Sequence, residues 1–163
     1  MNERSLPNRS PRPVLYVEDH PVNAMVMSAL FESRPRLKLV LAATGQQALC
    51  IAAGLNPVLL LLDMRLPDCH GLQLLPLLRQ LPGCETAPAV AVTAEDDFVL
   101  AGSGFVELWR KPLDVGSVLK RLDALTGTTA GERDTAAPLT APPGGTAARR
   151  HAPSTSPWPH GLR

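Results

Sequence analysis

Five short aliphatic runs punctuate the chain: Val14 to Val17, Leu37 to Leu41, Val58 to Leu62, Ala89 to Val92 and Phe105 to Trp109. Several are apolar at every position instead of alternating, the pattern of strands buried on both faces of a parallel sheet. The stretches between them carry helical spacing. Pro21 to Phe31 opens with proline at a first-turn position, Gly45 to Ala53 follows Thr44 as an N-cap, and Gly71 to Leu81 is rich in leucine. A short helix is expected after Thr93. The last covers Leu113 to Leu125, with Val115, Val118, Leu119, Leu122 and Leu125 on one face and Gly127 as its stop. Strand and helix thus alternate five times, which predicts an α/β fold: an open, doubly wound, five-stranded parallel sheet with helices on both faces and right-handed crossovers.

Composition sets the limits of this domain. From Gly127 to Arg163 the chain is dominated by Pro, Gly, Ala, Thr and Ser, with few large aliphatics, so residues 127–163 are expected to form a disordered tail, Trp158 being the residue there suited to anchor a partner. Residues 1–12 carry Arg4, Arg9 and Arg12 and no apolar stretch of leader length, and read as a disordered N-terminal arm. That leaves 13–126 as the folded unit. No later run approaches the ~18 apolar residues of a membrane span, and the expected location is the cytoplasm, with no membrane partner. The chain has 16 Lys and Arg against 15 Asp and Glu, which offers no electrostatic footprint for nucleic acid, and no helix-turn-helix pattern follows Thr126. Cys50, Cys69 and Cys84 lack the close pairing of zinc or redox motifs and read as buried or idle thiols in a reducing cytosol.

Candidate chemistry sits at the strand ends. In sheets of this kind functional groups gather at the carboxyl ends of the strands, where the strand order reverses. The first strand ends in Glu18-Asp19, the third in Asp63 and the fourth in Thr93, and the fifth is followed by Lys111-Pro112. Three carboxylates on one rim repel one another unless a cation shares the site, and a few hard acidic oxygens favour Mg²⁺ with several retained waters. A carboxylate beside Mg²⁺, with a hydroxyl and an ammonium nearby, has the parts for in-line phosphoryl transfer. Asp63 attacks, while the metal, Thr93 and Lys111 neutralise the transferring oxygens.

These segments resemble the receiver domain of bacterial two-component response regulators over roughly Pro13 to Thr126. VLYVEDHPVN is similar to the family's acidic-pair strand and turn. LLLLDMRLPDCHGL is similar to its phosphoacceptor strand and loop, with Pro67 and Gly71 four and eight residues past Asp63. AVAVTA supplies the hydroxyl and RKPL the lysine followed by proline. The resemblance implies a flavodoxin-like (βα)₅ receiver fold, and Met1 with the two loose tails leads us to expect the stand-alone, single-domain type. It implies that Asp63 accepts phosphate from a histidine kinase or a histidine phosphotransfer protein and signals to a downstream protein, the only catalysis being on itself. It further implies Mg²⁺ held by Asp19, Asp63 and the backbone carbonyl of Arg65, with Glu18 acting largely through water. Thr93 and Lys111 would bind the phosphoryl oxygens, and the Lys111-Pro112 peptide would be cis.

Two departures from the family pattern fall in one region. Only eighteen positions separate Thr93 from Lys111, about one helical turn fewer than usual, so the helix after Thr93 should be short or irregular. The position three before the lysine, where the family has its switch aromatic, is Leu108, with Trp109 expected on the opposite strand face. Both predict unusual partner recognition or weakened switching. The alternative reading is a receiver-shaped interaction module whose output ignores phosphorylation. Other readings fall away. His20 and His70 suit helix caps or solvent better than metal, and Gly102-Ser103-Gly104 precedes a strand where a dinucleotide loop would follow one. An aspartate-nucleophile phosphatase would want a second aspartate where Arg65 stands.

Overall fold

The structure, a computed structural model, describes residues 10–128. The arm and the tail lie outside these residues except for their inner ends. The elements run β1 (Arg12–Val17), α1 (Pro21–Glu32), β2 (Leu37–Ala42), α2 (Gly45–Ala52), β3 (Leu59–Asp63), α3 (Gly71–Leu78), β4 (Ala89–Thr93), β5 (Glu107–Arg110) and α4 (Val115–Thr126). All strand pairs are parallel, in the order β2-β1-β3-β4-β5. The doubly wound sheet expected from the alternating pattern is therefore present.

Each strand sends alternate side chains to opposite faces, and two cores result. One holds Leu15, Val17, Leu60, Leu62, Ala89 and Ala91 against Ala48 and Ala52 of α2 and Leu74, Leu75 and Leu78 of α3. The other holds Val14, Tyr16, Leu59, Leu61, Val90, Val92 and Trp109 against Met27, Leu30 and Phe31 of α1 and Val118 and Leu122 of α4. Every residue of β3 and β4 is buried, which accounts for their unbroken apolar runs. Cys50, Cys69 and Cys84 are all unbridged thiols.

Local signals account for the helix boundaries. Thr44 caps α2 by accepting from the Gln47 N–H, and Asp114 caps α4 by accepting from the Ser117 N–H. Gly127, in the left-handed region at φ 64°, ends α4. His70 caps α3: its Nδ1 accepts from the Leu72 N–H, while the Gln73 side chain accepts from the His70 N–H. His20 occupies the N-cap position of α1 but makes no side-chain cap bond. α3 stops at Leu78, short of the expected Leu81, and carries Pro76 inside it.

The helix expected after Thr93 is absent. Residues 94–106 form turns and bends, so among the described residues four helices accompany the five strands instead of five. Gly102 and Gly104, at φ 73° and 85°, adopt a conformation no right-handed helix contains. The segment is held instead by apolar anchors. Phe98 and Leu100 pack against the core, and the Phe98 ring meets Phe105 edge-on at 6.0 Å between centroids. No helix among the described residues is long and apolar enough to cross a membrane.

Candidate functional site

Strand register brings the site together. Val17 pairs with Leu62, Asp63 with Val92, and Thr93 with Arg110, so Glu18, Asp63, Thr93 and Lys111 fall within one residue of the same level across four parallel strands. The ladder continues past the strands: Lys111 N–H donates to the Thr93 carbonyl at 2.9 Å and Met64 N–H to the Val92 carbonyl at 3.3 Å. β1 and β3 are neighbours, yet the helices that follow them lie on opposite faces of the sheet. That reversal opens a crevice at their carboxyl ends. The Lys111-Pro112 peptide there is cis.

Lys111 Nζ bridges two carboxylates, at 2.6 Å from Asp63 Oδ2 and 2.7 Å from Glu18 Oε2. Asp63 Oδ1 also accepts from the Arg65 N–H at 3.1 Å. Glu18 is buried and well supplied with donors: the Tyr16 hydroxyl reaches Oε2 at 2.8 Å and the His20 N–H reaches Oε1 at 3.1 Å. Asp19 beside it is exposed. Carboxylate oxygens of Glu18, Asp19 and Asp63 all lie within 4.8 Å of one another.

The electrostatics of this cluster follow from burial and donors. Burial opposes the charge on Glu18, but Lys111 and Tyr16 outweigh it and hold its carboxyl below the usual range. For Asp63 burial wins and the neighbouring Glu18 adds to it, so its carboxyl sits above its ordinary value despite Lys111. Burial lowers the Lys111 ammonium, yet its two carboxylate partners hold it above its ordinary value. Burial and the adjacent Glu18 push the Tyr16 phenol strongly upward, so it stays a donor. Three carboxylates against one ammonium leave a formal charge of −2 in a half-buried crevice. A divalent cation on oxygen ligands fits that deficit and that donor set.

A cavity of about 340 Å³ opens beside Asp63, lined by Arg65, Thr93, Ala94, Glu95 and Lys111. Thr93 is buried, and its hydroxyl accepts from the Glu95 N–H at 3.0 Å. Glu95 also takes an ion pair from the exposed Arg65 guanidinium at 2.6 Å and lies 3.6 Å from His70 Nε2. A larger cavity of about 500 Å³ lies between β5 and α4, but its two carboxylates are occupied: Glu107 by Arg121 and Trp109, Asp114 by the Ser117 N–H.

Glu18, Asp19, Asp63, Thr93 and Lys111 thus meet at one rim; Arg65 touches Asp63 there through its backbone N–H, whereas the expected contact was its carbonyl, and Trp158 lies outside the described residues. Tyr16 and Glu95 were not singled out. Tyr16 stands two residues before Glu18 on the same strand face, and Glu95 two residues after Thr93. Neither spacing marks them in the sequence: Tyr16 lies inside an apolar run, and Glu95 lies past the end of β4, where no strand period holds.

A family model for the response regulator receiver domain matches residues 14–123. The chain is 31% identical over 105 residues to the signal transduction histidine-protein kinase BarA of Escherichia coli (strain K12), a match covering 62% of this chain but 11% of BarA. It is 32% identical over 105 residues to an uncharacterized 14.6 kDa protein of Leptolyngbya boryana, covering 62% of this chain and 79% of that protein. Among solved structures, the receiver domain of a sensor histidine kinase from Pseudomonas aeruginosa PAO1 has a magnesium ion coordinated in its active site cleft. It aligns with a TM-score of 0.63 at 27% identity, covering 73% of this chain and all of that one.

Proposed function

We propose, because the chain belongs to the response regulator receiver family, that Asp63 is the phosphoacceptor of a two-component phosphorelay. The observation that carries this reading is the placement of one carboxylate. Asp63 ends a strand buried at every position, lies 2.6 Å from Lys111 Nζ, and faces both an acidic pair and a cavity lined by Thr93. In the reaction an Asp63 oxygen attacks phosphorus while the P–N bond of a phosphohistidine breaks and its electron pair leaves on the imidazole nitrogen. The donor is a histidine kinase or a histidine phosphotransfer protein. Glu18, Asp19, Asp63 and the Arg65 carbonyl would hold Mg²⁺, which when bound supplies positive charge to the phosphoryl oxygens. Lys111 and the Thr93 hydroxyl are within reach of the same oxygens. Thr93 would donate its O–H to a phosphoryl oxygen while its oxygen goes on accepting from the Glu95 N–H.

On this reading 13–126 is the receiver unit of a cytoplasmic protein. It catalyses only its own phosphorylation and dephosphorylation, and it signals through a downstream protein and not through nucleic acid. Incubation with acetyl phosphate and Mg²⁺ is expected to yield a retarded band on a phosphate-binding gel for the wild type and none for Asp63→Ala. A retarded band of equal intensity in Asp63→Ala refutes the assignment. The second reading, output independent of phosphorylation, is favoured by the missing helix over 94–106 and by Leu108. It predicts that Asp63→Ala retains the downstream partner in a pull-down.

A further inference from the structure

The loop between β3 and α3 is a compact body of its own. Arg65 and His70 form an antiparallel bridge, Leu66 N–H donates to the Cys69 carbonyl at 3.2 Å, and Gly71 N–H to the Met64 carbonyl at 3.0 Å. Two polar attachments sling this body between its neighbours. On one side Arg65 and His70 reach Glu95, just past β4. On the other, Asp68 reaches across to α2: its Oδ1 accepts from the Gly45 N–H and its Oδ2 from the Gln46 N–H, both at 2.8 Å.

The α2 terminus is built to receive it. The first N–H groups of a helix have no partner within it, and here Asp68 takes two while Thr44 takes that of Gln47. Close approach requires glycine at the first position. A Cβ on Gly45 would stand 2.3 Å from Cys69 Sγ and 3.5 Å from Asp68 Oδ1. The loop and α2 therefore fit together with no space for a side chain between them.

We infer that Asp68 is a positioning residue for the phosphoacceptor site, anchoring the 64–70 loop to α2 so that Arg65 stands where its N–H meets Asp63 and its carbonyl meets the metal. This rests on the metal reading proposed above. Asp68 touches none of the reacting groups and acts through the loop. Its carboxyl is held below the usual range by the Gln46 and Gly45 N–H groups, so it stays an acceptor at neutral pH.

The test separates anchoring from simple capping. Thr44→Ala also removes a side-chain cap from α2 but leaves the loop untouched. Calorimetric titration with Mg²⁺ is expected to show the dissociation constant rising about tenfold in Asp68→Ala, as when groups supporting metal ligands are lost. Amide exchange across 64–70 is expected to quicken alongside. Asp68→Asn, which keeps one acceptor and places an amide against the other N–H, should fall roughly threefold short of wild type. Thr44→Ala should bind Mg²⁺ as the wild type does while losing thermal stability. Equal Mg²⁺ affinity in Asp68→Ala, Asp68→Asn and wild type overturns the inference and leaves Asp68 a cap. A wild type that binds no Mg²⁺ overturns the metal reading beneath it instead.

Discussion

Lys111 carries the electrostatics of the site. It is the ammonium between Glu18 and Asp63, with its side chain only 16% exposed. Removing one partner of a buried charge group leaves the others uncompensated, so Lys111→Met should destabilise the metal-free protein by about 2 to 3 kcal/mol. Adding Mg²⁺ should return more of the urea midpoint to the variant than it adds to wild type, since the ion supplies the charge that was removed. Coincident metal-free midpoints for the two proteins would contradict this account. The acidic pair, Asp63, Thr93 and Lys111 were legible in the sequence because each sits at a strand end, a position that composition and periodicity define. Tyr16, Asp68 and Glu95 were not. A tyrosine inside an apolar run reads as core, and the link from Asp68 to Gly45 and Gln46 joins segments more than twenty residues apart that only tertiary packing brings together.

Among the elements, the strands were the most legible. Their apolar runs are set by burial on both faces, and the observed limits differ from the expected ones by a residue or two. The helix after Thr93 fails although Ala94, Phe98, Ala101 and Phe105 keep helical spacing: Gly102 and Gly104 take left-handed backbone that breaks the segment after about two turns, too short a stretch to hold as a helix. Its neighbour β5 is consequently fastened from the other side. Glu107 accepts from Trp109 Nε1 at 3.0 Å and from Arg121 Nε at 2.8 Å, tying the edge strand to α4. Burial raises the Glu107 carboxyl, but Arg121 and Trp109 outweigh it and hold the group below its ordinary value of 4.5. A depressed folded value means that the stabilisation is fully present above the unfolded value and is lost as pH falls through the folded one. Wild type should therefore lose stability relative to Glu107→Gln on acidification below about pH 4.5, the ordinary value of the group, and the two should run parallel above it. Urea midpoints taken across that range for both proteins measure the difference, and parallel curves throughout would exclude the clasp as a source of stability.

For the whole molecule, the strand order decides where a change at Asp63 can travel. The site lies at the carboxyl edge of the sheet, and the path away from it runs through residues 94–97. Glu95 is joined to Thr93 by its N–H, to Arg65 by its carboxylate and to Arg110 of β5 by its carbonyl; Arg110 also reaches the Asp96 carbonyl at 3.1 Å. Drawing the Thr93 hydroxyl toward a phosphoryl group moves the oxygen that accepts from the Glu95 N–H, and so pulls on this knot first. Farther along β5, Leu108 packs against one core and Trp109 is buried in the other, so no exposed ring stands ready to swing inward. The response should then be concentrated near the site. With Mg²⁺ and beryllium fluoride as a phosphate mimic, amide exchange should change over 64–70 and 94–106 and remain nearly constant over 115–126, while Trp109 fluorescence holds steady. A response in α4 with 94–106 silent would mean that the signal bypasses Glu95, and that the coupling must be sought through the core beneath the sheet.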